Sequence, residues 1–170
     1  MANDIRIPRP RTAFPASVTE PDSAVMQAKR TLDGLLERFS VPMLRIALAV
    51  VYIWFGALKV FDVTPVGDLV AGTVPFLDAA WFVPALGVAE VAMGLVLLSG
   101  RLVGWVCAAM VGHLAGTFLV YVMQPDVAFM NGNPLLMTTE GEFVAKNVIL
   151  IAAGLVVAMW SAKKRRERQR

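Results

Sequence analysis

Hydrophobic residues are gathered into four long runs along the chain, and polar or mixed segments separate them. The runs occupy residues 41–61, 81–99, 101–123 and 143–160. Each run approaches or exceeds the roughly 20 residues that an α-helix needs to cross the hydrocarbon core of a bilayer. The pattern predicts an all-α integral membrane protein, built as a four-transmembrane-helix bundle.

The residues before the first run have a different pattern. Residues 1–22 contain four prolines and scattered charges without an apolar period, which predicts a disordered N-terminal arm. Residues 23–40 place apolar side chains at helical spacing opposite charged ones, which predicts an amphipathic helix lying on the membrane surface or docking a partner protein. A membrane domain at 41–161 and a basic tail at 162–170 complete the predicted organisation. The polar start contains no cleavable signal peptide, so we expect the first run to act as its own insertion signal.

Basic residues are concentrated on one side of the predicted membrane domain. Six precede the first run, Arg101 lies in the tight connection after the second, and the last eight residues are KKRRERQR. The connections at 62–80 and 124–142 contain acidic residues and neither Lys nor Arg. By the positive-inside rule, we expect both termini in the cytoplasm of a bacterial-type inner membrane. We interpret the basic tail as a topology signal at the lipid headgroups; the alternative is a patch that binds anionic lipid or nucleic acid, and no nucleic-acid partner is predicted.

Composition excludes several classes of protein. Hydrophobic residues make up 57% of the chain and charged residues 17%, which a soluble domain of 170 residues cannot bury. Cys107 is the only cysteine of this chain and lies in the middle of the third run. It cannot form an internal disulfide, a CxxC pair or a cysteine-ligated cluster, and we interpret it as a small core residue. No metal site and no intrinsic cofactor are predicted.

Two ionisable residues lie in the middle of predicted spans. Counting ~1.5 Å per residue from the outer ends, Glu90 lies ~13 Å and His113 ~15 Å below the outer surface of the hydrocarbon. A carboxylate and an imidazole at one depth predict a hydrogen-bonded pair, and both are candidate catalytic residues for proton transfer. An unpaired carboxylate at this depth costs about 2.5–3.5 kcal/mol, so Glu90 needs a partner. The structural alternative is that the pair only joins two helices.

Further polar residues lie between this pair and the outer surface. Lys59 and Lys146 lie near the outer ends of their spans, and their long stems can extend outward or reach into the bundle. Because each predicted helix has one small or polar stripe, the bundle is expected to enclose a cavity open to the outer leaflet. The residues predicted to bind a ligand there are Lys59, Glu90, His113, Thr117, Tyr121, Lys146 and Asn147.

Small residues recur every four positions in the third run. They are Gly104, Ala108, Gly112 and Gly116. This spacing permits close packing of helices in membranes. The contact is expected either inside the bundle, which we favour, or between the protomers of a homo-oligomer.

Three motifs resemble those of one membrane protein family. WFGALKVF at 54–61 is similar to a signature of the YkgB/RclC-type proteins, and GVAEVAMGLVLL at 87–98 resembles the Gly-x-x-Glu-x-x-x-Gly pattern of the wider DoxX-like group. GEFVAKN at 141–147 resembles the family's Gly-x-Phe-x-x-Lys-Asp, with Asn147 in place of Asp. The resemblance implies a compact four-helix membrane domain with cytoplasmic ends, and it adds Trp54 to the ligand-binding residues.

The resemblance also implies a function. DoxX-like relatives include a small subunit of a thiosulfate:quinone oxidoreductase and proteins linked to oxidative stress. We therefore expect a redox-associated subunit that binds a quinone or small ligand, with Glu90 and His113 handling protons. Electrons would come from a membrane or periplasmic redox partner, which favours an accessory subunit over an autonomous enzyme. The alternative is a non-catalytic scaffold, chaperone or assembly subunit in which the same residues join helices.

Overall fold

The computed structural model describes residues 23–170, and this part of the chain is helical throughout apart from its connections. Its only β-pairing is one isolated bridge between Phe129 and Met137. Four segments are long and apolar enough to cross a membrane: Ala24–Val60, Ala79–Ser99, Val103–Met123 and Thr139–Arg168. The predicted all-α, four-helix membrane protein is confirmed. The predicted N-terminal arm lies outside the described residues.

Eight α-helices follow one another along the described chain. They are α1 (Ser23–Val60), α2 (Gly67–Thr73), α3 (Ala79–Ser99), α4 (Val103–Thr117), α5 (Val120–Met123), α6 (Pro125–Ala128), α7 (Thr139–Ala145) and α8 (Asn147–Arg168). A short 3-10 helix at Met130–Gly132 lies between α6 and α7. The third crossing consists of α4 and α5, and the fourth consists of α7 and α8.

The chain divides into two units, one ending at Leu36 and one comprising Glu37–Arg170. In the first unit, the described residues form the N-terminal turns of α1, and their side chains are exposed. Helix α1 continues from Ser23 to Val60 without a break and contains Pro42. Residues 23–40 are therefore the start of the helix that supplies the first crossing. Their location on a membrane surface stays a prediction.

Apolar side chains from α1, α3, α4 and α8 form the core of the unit Glu37–Arg170. The largest of those that are fully buried are Leu48, Leu97, Met110, Val157 and Cys107. Cys107 is a free thiol and 1% exposed, which confirms its interpretation as a core residue. Many other large apolar side chains point outward, which suits helices whose outer faces are covered by lipid.

Glycines set the crossing of α1 and α3. A Cβ atom at Gly56 would lie 2.6 Å from the carbonyl oxygen of Gly87, and a Cβ atom at Gly87 would lie 2.6 Å from the carbonyl oxygen of Gly56. Only residues without a side chain permit this approach. On each helix a charged residue follows three positions later, Lys59 on α1 and Glu90 on α3. The close crossing therefore places these two residues beside each other.

The small-residue stripe of α4 does not make the internal contact that its spacing permits. A Cβ atom at Gly112 or Gly116 would meet no heavy atom within 4 Å. At Gly104 it would meet only Arg165, with Nη2 at 3.9 Å. The opposite side of α4, with Cys107 and Met110, enters the core instead. The favoured expectation of close internal packing through this stripe is thus wrong for the described residues.

The connection between α1 and α3 and the connection between α4 and α8 pack against the end of the bundle. Leu69 and Thr73 of α2 are buried. The side chain of Gln124 holds α2 in place, because its Nε2 donates to the Leu69 carbonyl at 2.8 Å and to Thr73 Oγ1 at 3.0 Å. Thr138 caps α7 by accepting a hydrogen bond from the Gly141 amide at 3.1 Å. These contacts order the polypeptide above the bundle.

Candidate functional site

A lysine, a glutamate and a histidine meet inside the bundle. Lys59 Nζ donates to Glu90 Oε2 at 2.7 Å and to Glu90 Oε1 at 3.0 Å. His113 Nε2 lies 2.8 Å from Glu90 Oε1, which confirms the predicted pairing of Glu90 with His113. The three side chains are 8%, 6% and 19% exposed, respectively. We call this cluster the Lys–Glu–His triad.

The triad is electrically balanced with a neutral histidine. A carboxylate can only accept hydrogen bonds, so His113 Nε2 must carry the proton that it shares with Glu90. The ammonium of Lys59 and the carboxylate of Glu90 then cancel each other's charge. Burial of such a pair is tolerated because each charge is hydrogen-bonded to the other. Of the two alternatives for Lys59, the structure has the side chain reaching inward.

Tyr52 supports the imidazole and was missed among the predicted site residues. Its hydroxyl donates to the Met110 carbonyl at 3.2 Å, and the residue is 4% exposed. Its ring packs edge to face with that of His113, with 6.0 Å between the ring centroids. Tyr52 precedes Lys59 by seven residues and therefore lies two turns away on the same face of α1. This seven-residue spacing is the feature of the sequence that could have placed Tyr52 in the site.

The triad forms part of the wall of a cavity of about 410 Å³ between α1, α4, α7 and α8. Cavities of roughly 300–1,000 Å³ are typical of sites for small molecules. Most of the remaining wall is apolar, with Val51, Phe55, Leu114, Phe143, Ile149 and Leu150. Six of the predicted ligand-binding residues line this cavity: Lys59, Glu90, His113, Thr117, Lys146 and Asn147.

A second polar contact joins α4 to α8 in the wall of the same cavity. Asn147 Nδ2 donates to Thr117 Oγ1 at 2.8 Å, and that hydroxyl donates to the Leu114 carbonyl at 2.6 Å. Asn147 is 8% exposed. Lys146, its neighbour, extends outward instead and pairs loosely with Glu142 at 3.8 Å. Lys146 thus brings a second, exposed cation to the cavity.

Two predicted residues lie elsewhere. Trp54 is 65% exposed and does not line the cavity. It precedes Lys59 by five residues, which places it ~140° around α1 from the lysine. The hydroxyl of Tyr121 donates to the Gly141 carbonyl at 2.8 Å, and its ring stacks on Phe129 at 5.2 Å between centroids. Tyr121 therefore helps to build the outer connections.

A second cavity of about 300 Å³ also borders the triad. Helix α2 contributes Leu69 and Thr73 to its wall, and α4 contributes Gly112 and Gly116. Lys59, Glu90, His113 and Thr117 line both cavities. The triad thus borders both cavities, and the two glycines contribute no side chain that would fill the second one.

Residues 40–123 match the family model described as DoxX. Over these residues the chain is similar to DoxX. The match covers just under half of the 170 residues and includes the second and third crossings and residues 40–60 of the first. No curated protein and no solved structure matches the chain. The finer resemblance to the YkgB/RclC type stays a prediction.

The DoxX-like segment contains the whole triad, since Lys59, Glu90 and His113 all lie within residues 40–123. The fourth crossing lies outside the match. It supplies the rest of the cavity wall, namely Phe143, Lys146, Asn147, Ile149 and Leu150. Phe143 packs edge to face on Phe55, with 5.8 Å between centroids. The first cavity therefore combines the matched segment with a helix beyond it.

Proposed function

We propose that this DoxX-like membrane protein binds a quinone, or a small lipophilic ligand with a similar polar head, in the cavity beside the triad. It acts as an accessory subunit of a redox or oxidative-stress system in a bacterial-type inner membrane. One observation carries the proposal. An ammonium, a carboxylate and an imidazole lie together in one wall of a cavity of about 410 Å³ whose other walls are mainly apolar.

The polar groups of the cavity suit both redox forms of a quinone. Quinone carbonyls accept hydrogen bonds, and Lys59 retains one N–H beyond the two that it donates to Glu90. Lys146 supplies a second ammonium at the cavity wall. The hydroxyls of a hydroquinone donate, and His113 Nδ1 has no hydrogen-bond partner among residues 23–170. The apolar walls would hold the isoprenoid tail or ring edges of the ligand.

The direct contact between Glu90 and His113 supports a role in moving protons. Conversion of a quinone to a hydroquinone consumes two electrons and two protons. In this proposal His113 donates or accepts protons at the ligand, and Glu90 stabilises the imidazolium that forms. The electrons come from a membrane or periplasmic redox protein. By the distribution of basic residues, the cavity opens toward the outer leaflet.

Mass spectrometry of the protein purified in mild detergent tests the proposal. We expect a quinone in about a 1:1 ratio with the wild-type chain. The Glu90→Gln variant should lose it, because the triad loses its negative charge, whereas Glu140→Gln should keep it. Glu140 is an exposed carboxylate outside the cavity and serves as the matched control.

A second variant separates loss of the ligand from damage to the triad. Leu150 lines the cavity without contacting Lys59, Glu90 or His113 through a hydrogen bond, so Leu150→Trp fills the space and leaves the triad in place. We expect Leu150→Trp to exclude the quinone as well. A stoichiometric protein partner without any bound small molecule, unaffected by Glu90→Gln, would contradict ligand binding and favour the scaffold.

A further inference from the structure

A third cavity lies at the end of the bundle away from the packed connections. It has a volume of about 300 Å³ and is bounded by α1, by the connection between α3 and α4, and by the end of α8. Its polar wall is strongly basic. Four cationic side chains line it: Arg45, Lys164, Arg165 and Arg168. It shares no lining residue with the two cavities beside the triad.

Arg45 is held in this cavity by the shape of the connection between α3 and α4. Gly100 ends α3 with φ 71°, and a Cβ atom there would lie 2.9 Å from Arg45 Nη1. A side chain at this position would displace the guanidinium. Arg45 Nε is buried and has no hydrogen-bond partner among residues 23–170. The guanidinium of Arg45 therefore lies against the connection, with its Nε buried, instead of extending freely to the headgroups.

The other cations are placed by α8 and its neighbours. Arg165 Nη2 lies 3.9 Å from the Cβ position of Gly104 on α4. Lys164 Nζ lies 4.8 Å from the ring centroid of Trp160, a cation–π contact that orients it. In the described chain, no carboxylate oxygen lies within 4.0 Å of a nitrogen of the four cations. The cavity thus gathers positive charge without a counter-charge of its own.

We propose that this cavity binds the phosphate group of an anionic phospholipid. Arginine side chains form paired, charge-assisted hydrogen bonds with phosphate oxygens, and basic pockets between transmembrane helices on the cytoplasmic side are suited to lipid headgroups. The apolar residues Val41, Val103 and Val157 line the same cavity and provide a surface for the start of the acyl chains. A free phosphate ion would make no favourable contact with that apolar surface, whereas the acyl chains of a lipid would, and this favours a lipid. The proposal is independent of the ligand proposed for the triad.

Native mass spectrometry of delipidated protein tests the proposal. The probes are phosphatidylglycerol, phosphatidylcholine and inorganic phosphate, each added at matched concentrations. We expect one molecule of phosphatidylglycerol to bind more tightly than phosphatidylcholine. Arg45→Gln and Arg165→Gln should each weaken its binding by about tenfold or more, because each removes a charge-assisted contact.

Two exposed arginines outside the cavity provide matched controls. Arg101 lies in the same connection as Gly100, and Arg166 lies beside Arg165, but neither lines the cavity. Arg101→Gln and Arg166→Gln remove the same charge and should change lipid binding by less than about twofold. If Arg45→Gln does not fold, Arg165→Gln carries the comparison, since its side chain is exposed.

The outcomes that would overturn the proposal are distinct. If the cavity variants and the controls lose affinity for phosphatidylglycerol equally, the lipid is attracted to positive charge in general and not to this cavity. Binding of inorganic phosphate that displaces the lipid at equal concentration would make the cavity a site for soluble phosphate. Absence of any lipid adduct would also overturn it. Selective loss in the cavity variants supports it.

Discussion

Lys59 and Lys146 show how the surroundings of a lysine determine what its ion pair contributes. Both lie near the same end of the bundle, and each pairs with a glutamate. The pair Lys59–Glu90 has an N–O distance of 2.7 Å, and both side chains are more than nine-tenths buried. The pair Lys146–Glu142 has a distance of 3.8 Å with side chains 70% and 61% exposed. Water and ions screen the charges of Lys146 and Glu142. Lys59 and Glu90 are shielded from water, so each depends on the other, and on His113, for hydrogen bonds.

Removal of one partner from each pair should therefore have very different effects. Lys59→Met leaves the Glu90 carboxylate buried without an ammonium, and we expect it to lower the free energy of unfolding by about 3–5 kcal/mol. Lys146→Met should lower it by less than about 1 kcal/mol. Unfolding of detergent-solubilised protein by sodium dodecyl sulfate measures both. Similar losses would show that burial does not govern the strength of these pairs.

A double variant refines this comparison. Lys59→Met combined with Glu90→Leu removes both charges and leaves apolar side chains in their place. It should lower the free energy of unfolding by less than Lys59→Met alone, because no unpaired charge remains in the bundle. If the double variant is less stable than Lys59→Met, the hydrogen bond between His113 and Glu90 contributes more to stability than the unpaired charge costs.

At the scale of single residues, the sequence predicted part of the triad. Depth counting along two helices predicted that Glu90 and His113 meet, because the rise per residue is constant in any α-helix. It could not predict whether Lys59 extends outward or inward. That choice depends on how closely α1 approaches α3. Trp54 was placed in the site by resemblance alone, and its position around α1 turns it away from the cavity.

At the scale of helices, glycine has two different roles in this protein. Gly56 and Gly87 let the backbones of α1 and α3 come into contact. Gly112 and Gly116 contact nothing within 4 Å of a Cβ position and instead line the cavity of about 300 Å³ beside the triad. The spacing of small residues is the same kind of signal in both places. The positions of the neighbouring helices decide whether a glycine packs closely against another helix or borders a cavity.

Alanine substitutions distinguish the two roles. Gly87→Ala places a methyl group 2.6 Å from the Gly56 carbonyl oxygen, so α1 and α3 must move apart. We expect a loss of about 1–3 kcal/mol in the free energy of unfolding, together with loss of the Lys59–Glu90 contact. Gly116→Ala should change stability by less than about 0.5 kcal/mol. The same unfolding assay measures both, and equal losses would contradict the assignment.

At the scale of the whole molecule, the two ends of the unit Glu37–Arg170 carry different charges. One end has the basic cavity around Arg45 and Arg165, and the other has packed connections that contain acidic residues. The positive-inside rule predicts that the basic end stays in the cytoplasm. The proposed outward opening of the triad cavity and the lipid proposal both depend on this orientation.

Cysteine labelling of intact cells checks the orientation. Leu135 lies in the connection between α6 and α7 and is 89% exposed, whereas Glu167 lies near the end of α8. A membrane-impermeant maleimide should label Leu135→Cys in intact cells and Glu167→Cys only after permeabilisation. The wild-type chain is the negative control, because Cys107 is 1% exposed. Labelling of Glu167→Cys in intact cells would reverse the orientation.

The sequence by itself determined the class of protein and the approximate positions of its crossings. Hydrophobic runs of bilayer length predict membrane helices because the bilayer cannot satisfy an exposed backbone, whatever the neighbouring helices do. It also placed Glu90 and His113 at one depth. These properties belong to single helices, so a linear pattern contains them.

Tertiary structure alone decided which residues share a cavity. The inward reach of Lys59, the support of His113 by Tyr52 and the outward position of Trp54 all depend on how neighbouring helices are rotated and spaced. The basic cavity joins Arg45 and Arg165, residues from distant parts of the chain that no sequence pattern linked. Contacts between helices arise from packing of their surfaces, and the period of one helix does not specify the face of another.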